Sequence, residues 1–276
     1  MRFRPFSFIL LLLFTAPAFS QESAQRPYYL ALGDSLAIGI QPSLDGDVPT
    51  NQGYVDDLYA LLRLRKPGLK LAKLGCSGET SDSMVNGGVC SYPQGNQLNA
   101  ALAFIETHKV AIITLDIGGN DVDRCVNSAF EIDQTCLATG LNNISSHLPL
   151  IVEDLRETAG PNTPVIAMNY FDPFLAAWKL GPAGQTLAQE SLQATIGFNG
   201  ELEAIYQAAG VPVADVAKAF RITDSTNIPV INLPLNVFLE LTWTWVGAPP
   251  PLGPDIHPNS VGYANIALAF AETLKE

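Results

Sequence analysis

A serine hydroxyl needs a neighbouring base to attack at neutral pH, and histidine is the usual one. The chain has 276 residues and only three histidines. His108 ends a helical stretch before "KVAIITL", a position that a helix C-terminus favours, and His147 lies inside a long amphipathic segment, so both read as structural. His257 differs. It stands in "GPDIHPNSVGYANIALAF" (253–270), a proline-rich loop running into a helix that Asn259 or Ser260 can cap. Proline on one side and a helix start on the other fix its backbone, as a general base requires. The serine that invites pairing with it is Ser35, in "YYLALGDSLAIGIQP" (28–42), where an apolar, β-prone run stops abruptly at Gly-Asp-Ser. Acyl transfer also needs preorganised donors for a developing oxyanion. Gly78 in "GCSGET" (75–80) can present a backbone N–H, since glycine tolerates unusual φ values. Asn120 in Gly118-Gly119-Asn120-Asp121 offers a carboxamide.

These residues are far apart in the chain, so regular elements must gather them. Apolar, β-branched runs occur at 27–32, 69–74, 110–117, 164–170 and 211–216, and the segments 53–65, 94–108, 134–159, 184–209 and 260–275 carry apolar residues at three- and four-residue spacing. Strands alternating with helices imply right-handed crossovers and a parallel sheet covered on both faces. The near absence of charge in the strand runs agrees with burial on both sides. Ligands in such sheets sit at the carboxyl ends of the strands. Three of the five predicted strands end in the polar, glycine-bearing turns that hold Ser35, Gly78 and Asn120, and the fourth ends in Asn169-Tyr170-Phe171-Asp172-Pro173.

Gly33-Asp34-Ser35 early in the chain, Gly78 after the second strand, Gly118-x-Asn120-Asp121 after the third and His257 near the C-terminus resemble, in order, the four blocks of the SGNH, or GDSL, hydrolases. "NYFDPFLAAW" (169–178) is also similar to the segment after the fourth strand in secreted bacterial members. The resemblance implies an α/β fold, a single-domain three-layer αβα sandwich with a five-stranded parallel sheet, SGNH hydrolase-like and flavodoxin-like. It implies Ser35 as nucleophile, His257 as base and later acid, and an oxyanion hole from the Ser35 and Gly78 N–H groups with the Asn120 side chain. The family's aspartate usually stands three residues before the histidine; that position is Pro254 here, and Asp255 is two before. Either Asp255 bends in to hold His257 Nδ1–H, completing a triad, or a backbone carbonyl near Pro254 does so and a Ser-His dyad remains. The shortened spacing leans towards the dyad.

Residues 1–20, "MRFRPFSFILLLLFTAPAFS", have a basic start, an apolar stretch and an Ala-Phe-Ser cleavage pattern, and read as a signal peptide preceding a hydrolase domain over 21–276. Thr15 and Pro17 interrupt the apolar run short of the roughly 20 residues a membrane span needs, and nothing later reads as a span. Export to the periplasm or beyond is the expectation. Removing two arginines takes the formal charge from −12 to −14, which argues against nucleic acid and anionic lipid surfaces as partners. Cys76, Cys90, Cys125 and Cys136 show no C-x-x-C spacing, and an even count in an exported chain favours disulfides, with the sequence-local pairs Cys76–Cys90 and Cys125–Cys136 expected. Asn143-Ile144-Ser145 fits a glycosylation sequon but lies in a helical segment.

Nothing in the chain calls for a cofactor or metal: scattered histidines form no ligand cluster, and G-x-G-x-x-G after the first strand, a P-loop, G-x-S-x-G and H-E-x-x-H are all absent. The expected protein is a monomeric esterase or lipase acting on small-molecule or lipid esters. The competing class is an exported carbohydrate- or lipid-binding module on the same fold, since fold alone does not dictate function. The segment 228–254 carries one charge, Glu240, and two tryptophans, Trp243 and Trp245. It reads equally as an acyl-binding wall, which favours a lipidic acyl group, or as core packing.

Overall fold

The computed structural model describes residues 26–275; the expected leader lies outside them. Among the described residues, nine strands and ten α-helices follow one another. The strands are β1 (Tyr28–Gly33), β2 (Ile40–Ser43), β3 (Gly46–Pro49), β4 (Lys70–Lys73), β5 (Val110–Asp116), β6 (Val165–Met168), β7 (Val213–Ala214), β8 (Asn227–Ile228) and β9 (Leu233–Pro234). The helices are α1 (Ser35–Ile38), α2 (Tyr54–Arg65), α3 (Ser81–Asn86), α4 (Gln97–Thr107), α5 (Gly119–Val122), α6 (Gln134–Ala159), α7 (Pro182–Ala208), α8 (Val216–Ala219), α9 (Leu235–Trp243) and α10 (Ser260–Thr273).

Five strands form one parallel sheet in the order β4-β1-β5-β6-β7. Counting sheet strands alone this is 2-1-3-4-5, the doubly wound order whose switch point lies between the first and third strands, here β1 and β5. β1 is buried from Tyr29 through Gly33, as a central strand with both faces covered must be, whereas the edge strand β4 carries two lysines. Helices α2 and α10 pack together over one face, with Tyr54 stacked on Phe270 at 5.0 Å between centroids, and α4, α6 and α7 form the other layer. One hydrophobic core runs through all three layers. The expected sandwich is present, with each of the five strands inside its predicted segment to within one residue.

Local chemistry sets the helix ends. Asp133 accepts from the Thr135 and Cys136 N–H groups to start α6, and Asn259, not Ser260, caps α10. Both disulfides join the expected sequence-local pairs, Cys76–Cys90 and Cys125–Cys136. Among the described residues, no helix is long and apolar enough to cross a membrane.

Candidate active site

The glycine of Gly33-Asp34-Ser35 is demanded by packing. Its φ is +131°, and a Cβ there would lie 1.6 Å from Asp116 Oδ1 at the end of β5. The bare backbone lets the Asp116 carboxylate accept from the Asp34 N–H at 2.9 Å, which joins the tips of β1 and β5 at the switch point. Asp34 then caps the short helix α1 through Leu36 N–H at 2.9 Å, so that Ser35 opens that helix. Burial pushes the Asp34 carboxyl up to about 6, against the pull of the Leu36 N–H and of the nearby His257.

The second block is stitched to this strand end. Cys76 N–H donates to the Gly33 carbonyl at 3.0 Å. Gln97, at the start of α4, accepts from Gly33 N–H at 2.7 Å and donates to the Gly33 carbonyl and to Glu79, each at 2.9 Å. Glu79 is itself buried, and burial raises its pKa against hydrogen bonds from Ser83 and Gln97. Gly78 adopts φ +82°, the left-handed region that suits glycine, between the Cys76–Cys90 disulfide and Glu79. The third block attaches here too. Asn120 donates its amide to the Glu79 carbonyl at 3.0 Å, while Asp121 accepts from Ser81 N–H at 2.8 Å and Ser81 Oγ at 2.7 Å.

The histidine comes from the opposite bank. One oxygen of Asp255 lies 2.8 Å from the His257 backbone nitrogen and 2.9 Å from Nδ1. Of the two arrangements left open by the shorter spacing, the geometry is the one in which Asp255 bends in, against the lean towards a dyad: a tight Asp-x-His turn lets a single carboxylate oxygen serve both the main chain and the imidazole. Burial pushes Asp255 up, but its contacts with His257 outweigh that and hold it below the ordinary carboxylate value. Among the described residues, Asp47, Asp255 and His257 form the one group of potential metal-ligand atoms, all within 4.8 Å of one another. Nδ1 there already faces Asp255, which suits an oriented base.

A cavity of about 30 Å³ brings the banks together. Ser35, Asn120 and His257 line it with Asp34, Asp123 and Tyr170. Gly78 does not line it; it lies one residue from the carbonyl that holds Asn120. His108 stacks on Phe104 at the end of α4, and His147 Nε2 sits 3.6 Å from Asp82, so neither enters the site. Trp243 packs edge-on against Phe220 and Trp245 donates to Gln41, and neither lines this cavity. Sequence reasoning passed over Gln97, Asp116 and Asp123. Asp116 alone carried a signal, as an acid closing an otherwise uncharged strand.

A model of the GDSL-like lipase/acylhydrolase family matches residues 31–264. The chain belongs to that family. No protein of curated function matches it in sequence. Among solved structures, it is similar to phospholipase A1 from Streptomyces albidoflavus (16% identity, covering 91% of this chain and 98% of that one, TM-score 0.55). It is likewise similar to an extracellular lipase from Streptomyces rimosus (17%, 90% and 98%, 0.53). A third is a variant of an acetyl-xylooligosaccharide esterase from Geobacillus (18%, 91% and 95%, 0.51). At these identities the likeness establishes a shared fold.

Proposed function

We propose that this GDSL-family protein is an exported serine esterase that cleaves carboxylic esters through an acyl-enzyme on Ser35. The observation that carries the reading is the single cavity lined by Ser35, Asn120 and His257 at the carboxyl ends of β1 and β5, with His257 Nδ1 2.9 Å from Asp255. Asp255 holds the proton on Nδ1 and leaves Nε2 to take the Ser35 proton as Oγ attacks the ester carbonyl. The oxyanion is met by the Ser35 and Gly78 N–H groups and by the second amide hydrogen of Asn120, the first being spent on the Glu79 carbonyl. His257 then protonates the leaving alcohol, and a water activated by the same imidazole releases the acid. Two disulfides and a strongly acidic composition support work outside the cytoplasm.

A cavity as small as about 30 Å³ suits a short acyl group better than a fatty chain. The test is a series of nitrophenyl esters from acetate upward, with and without a serine-directed phosphonate. Short esters are expected to turn over fastest, with the phosphonate labelling Ser35. Ser35→Ala and His257→Ala should each lose about 10⁵-fold to 10⁶-fold in kcat, and Asp255→Ala less, up to about 10⁴-fold, with the fold intact. Absence of labelling and turnover in the native protein would leave the binding-module reading in its place.

A further inference from the structure

The hairpin of β2 and β3 lies outside the main sheet and leaves α1 directly: Gly39 ends the helix that Ser35 begins, and Ile40 starts β2. Its base is anchored by Thr50 Oγ1, which donates to the Gly39 carbonyl at 2.6 Å, and by Tyr263 of α10, which donates to the Ile40 carbonyl at 2.9 Å. The next residue, Gln41, is half-buried and spends both ends of its carboxamide on the histidine loop. Oε1 accepts from Trp245 Nε1 at 2.6 Å, and Nε2 donates to the Pro258 carbonyl at 3.1 Å. Those partners sit on the two strands of chain that enclose His257. The same strands are cross-linked by Trp245 N–H to the His257 carbonyl at 2.9 Å, by Asp255 N–H to the Trp245 carbonyl at 3.3 Å and by a bridge between Thr244 and Pro258.

We infer that Gln41 is a positioning residue for the catalytic histidine: the hairpin carries the nucleophile's own helix across to the histidine loop and fixes the reach between Ser35 and His257. The inference rests on the assignment of those two residues as nucleophile and base. Two features support a catalytic rather than a merely cohesive part. Gln41 is only six residues from Ser35, so displacement of the loop relative to the hairpin is displacement of base relative to nucleophile. Its two hydrogen bonds, moreover, flank the histidine instead of gripping the loop at one point, which resists rotation as well as translation. Rate is sensitive to this: misplacement by about 1 Å can cost about 10²-fold.

The test compares Gln41→Met, which keeps volume and removes both hydrogen bonds, with Trp245→Phe, which removes one. On nitrophenyl acetate, Gln41→Met should lower kcat about tenfold or more with KM within about twofold of native. Phosphonate labelling of Ser35 should slow in step, and the downfield imidazole Nδ1–H resonance of His257 should broaden or vanish. Trp245→Phe should show the same pattern more weakly, and the double variant should lose no more than Gln41→Met, since the two side chains share one bond. Native kcat in folded variants, or a loss confined to unfolding midpoint, overturns the inference; if Gln41→Met does not fold, Trp245→Phe decides it alone. Ser35→Ala and His257→Ala run in the same assay, and native-like turnover in either overturns the site assignment beneath it.

Discussion

The turns that carry Ser35, Gly78 and Asn120 are tied down by Gln97, Glu79, Ser81, Asp116 and Asp121, all buried, whereas the His257 loop is held by Gln41, Asp255 and Trp245, each of them part exposed. On the first bank, deep polar groups satisfy one another across long stretches of sequence, and a disulfide closes the loop that carries Gly78. Such networks hold geometry rigidly but leave costly orphans when broken. On the second bank, water can replace a lost partner, so damage should appear in rate more than in stability. The two banks therefore assign different work to similar chemistry: a carboxamide at position 97 maintains the fold, and one at position 41 maintains an alignment.

The largest expected effect follows from Gln97→Leu. It strands the Gly33 N–H and one Glu79 oxygen in a dry interior and leaves the Gly33 carbonyl with the Cys76 N–H alone, and at about 1–3 kcal/mol for each unpaired group the loss should be about 4 kcal/mol. Urea unfolding checks it. A loss below about 1 kcal/mol would erase the proposed difference between the banks.

A smaller effect separates the banks by the sign of their pH dependence. Burial lifts the Asp172 carboxyl to about 7, against hydrogen bonds from Ser191 Oγ and from the Phe174 and Leu175 N–H groups that pull it down. Nearby Asp123, which lines the cavity with Ser35 and His257, is lifted to about 8 by burial and by the charges of Asp172 and Asp34. Between the ordinary carboxylate value near 3.8 and these raised values, the unfolded chain has released a proton that the native chain keeps. The unfolded state then binds fewer protons, so stability falls as pH rises through that window. Asp255 is lowered instead, and its contribution is lost as pH falls. At 1.36 kcal/mol per pH unit, Asp172 should contribute about 3 kcal/mol of decline between pH 5 and pH 7.5. Asp172→Asn preserves the cap on Phe174 and should flatten the profile by about that much; an unchanged profile would show that the carboxyl titrates normally.

The two banks were alike in what could be read from sequence: the chemistry-bearing residues of each were legible and the glutamine supporting each was not. The sheet was legible because doubly buried strands such as Val110–Asp116 are almost uncharged, and α6 was legible because its apolar positions hold one helical face from Gln134 to Ala159. Ser35, Gly78, Asn120 and His257 could be named because turn glycines and a loop histidine advertise their chemistry. Gln97 and Gln41 could not, since their partners lie 64 and 204 positions away and a glutamine on a helix or in a short polar segment has an ordinary surface reading. The hairpin itself left a trace. Asp45-Gly46 is a turn signal, but it is offset by one from the turn itself, which is Leu44-Asp45 with Ser43 opposite Gly46, and Pro42 and the polar residues around it mask any alternation of strand type.

The smallest effect tests whether the hairpin acts through alignment or through charge. Asp47, on β3, places a carboxylate within 4.8 Å of Asp255 and a His257 ring nitrogen, and an anion there would favour the imidazolium that the proposed mechanism forms on His257. Asp47 is exposed, however, so its field acts through a dielectric close to that of water and is screened within about 10 Å at 0.1 M salt. Asp47→Asn should therefore lower kcat/KM only about twofold at low ionic strength, with the deficit disappearing at high salt. The Gln41→Met deficit should persist there, because hydrogen bonds that fix a loop are not screened. An Asp47→Asn loss as large as that of Gln41→Met, and equally indifferent to salt, would mean that the hairpin supports His257 by its carboxylate, and the contrast between a latched bank and a buried one would have to be redrawn around charge.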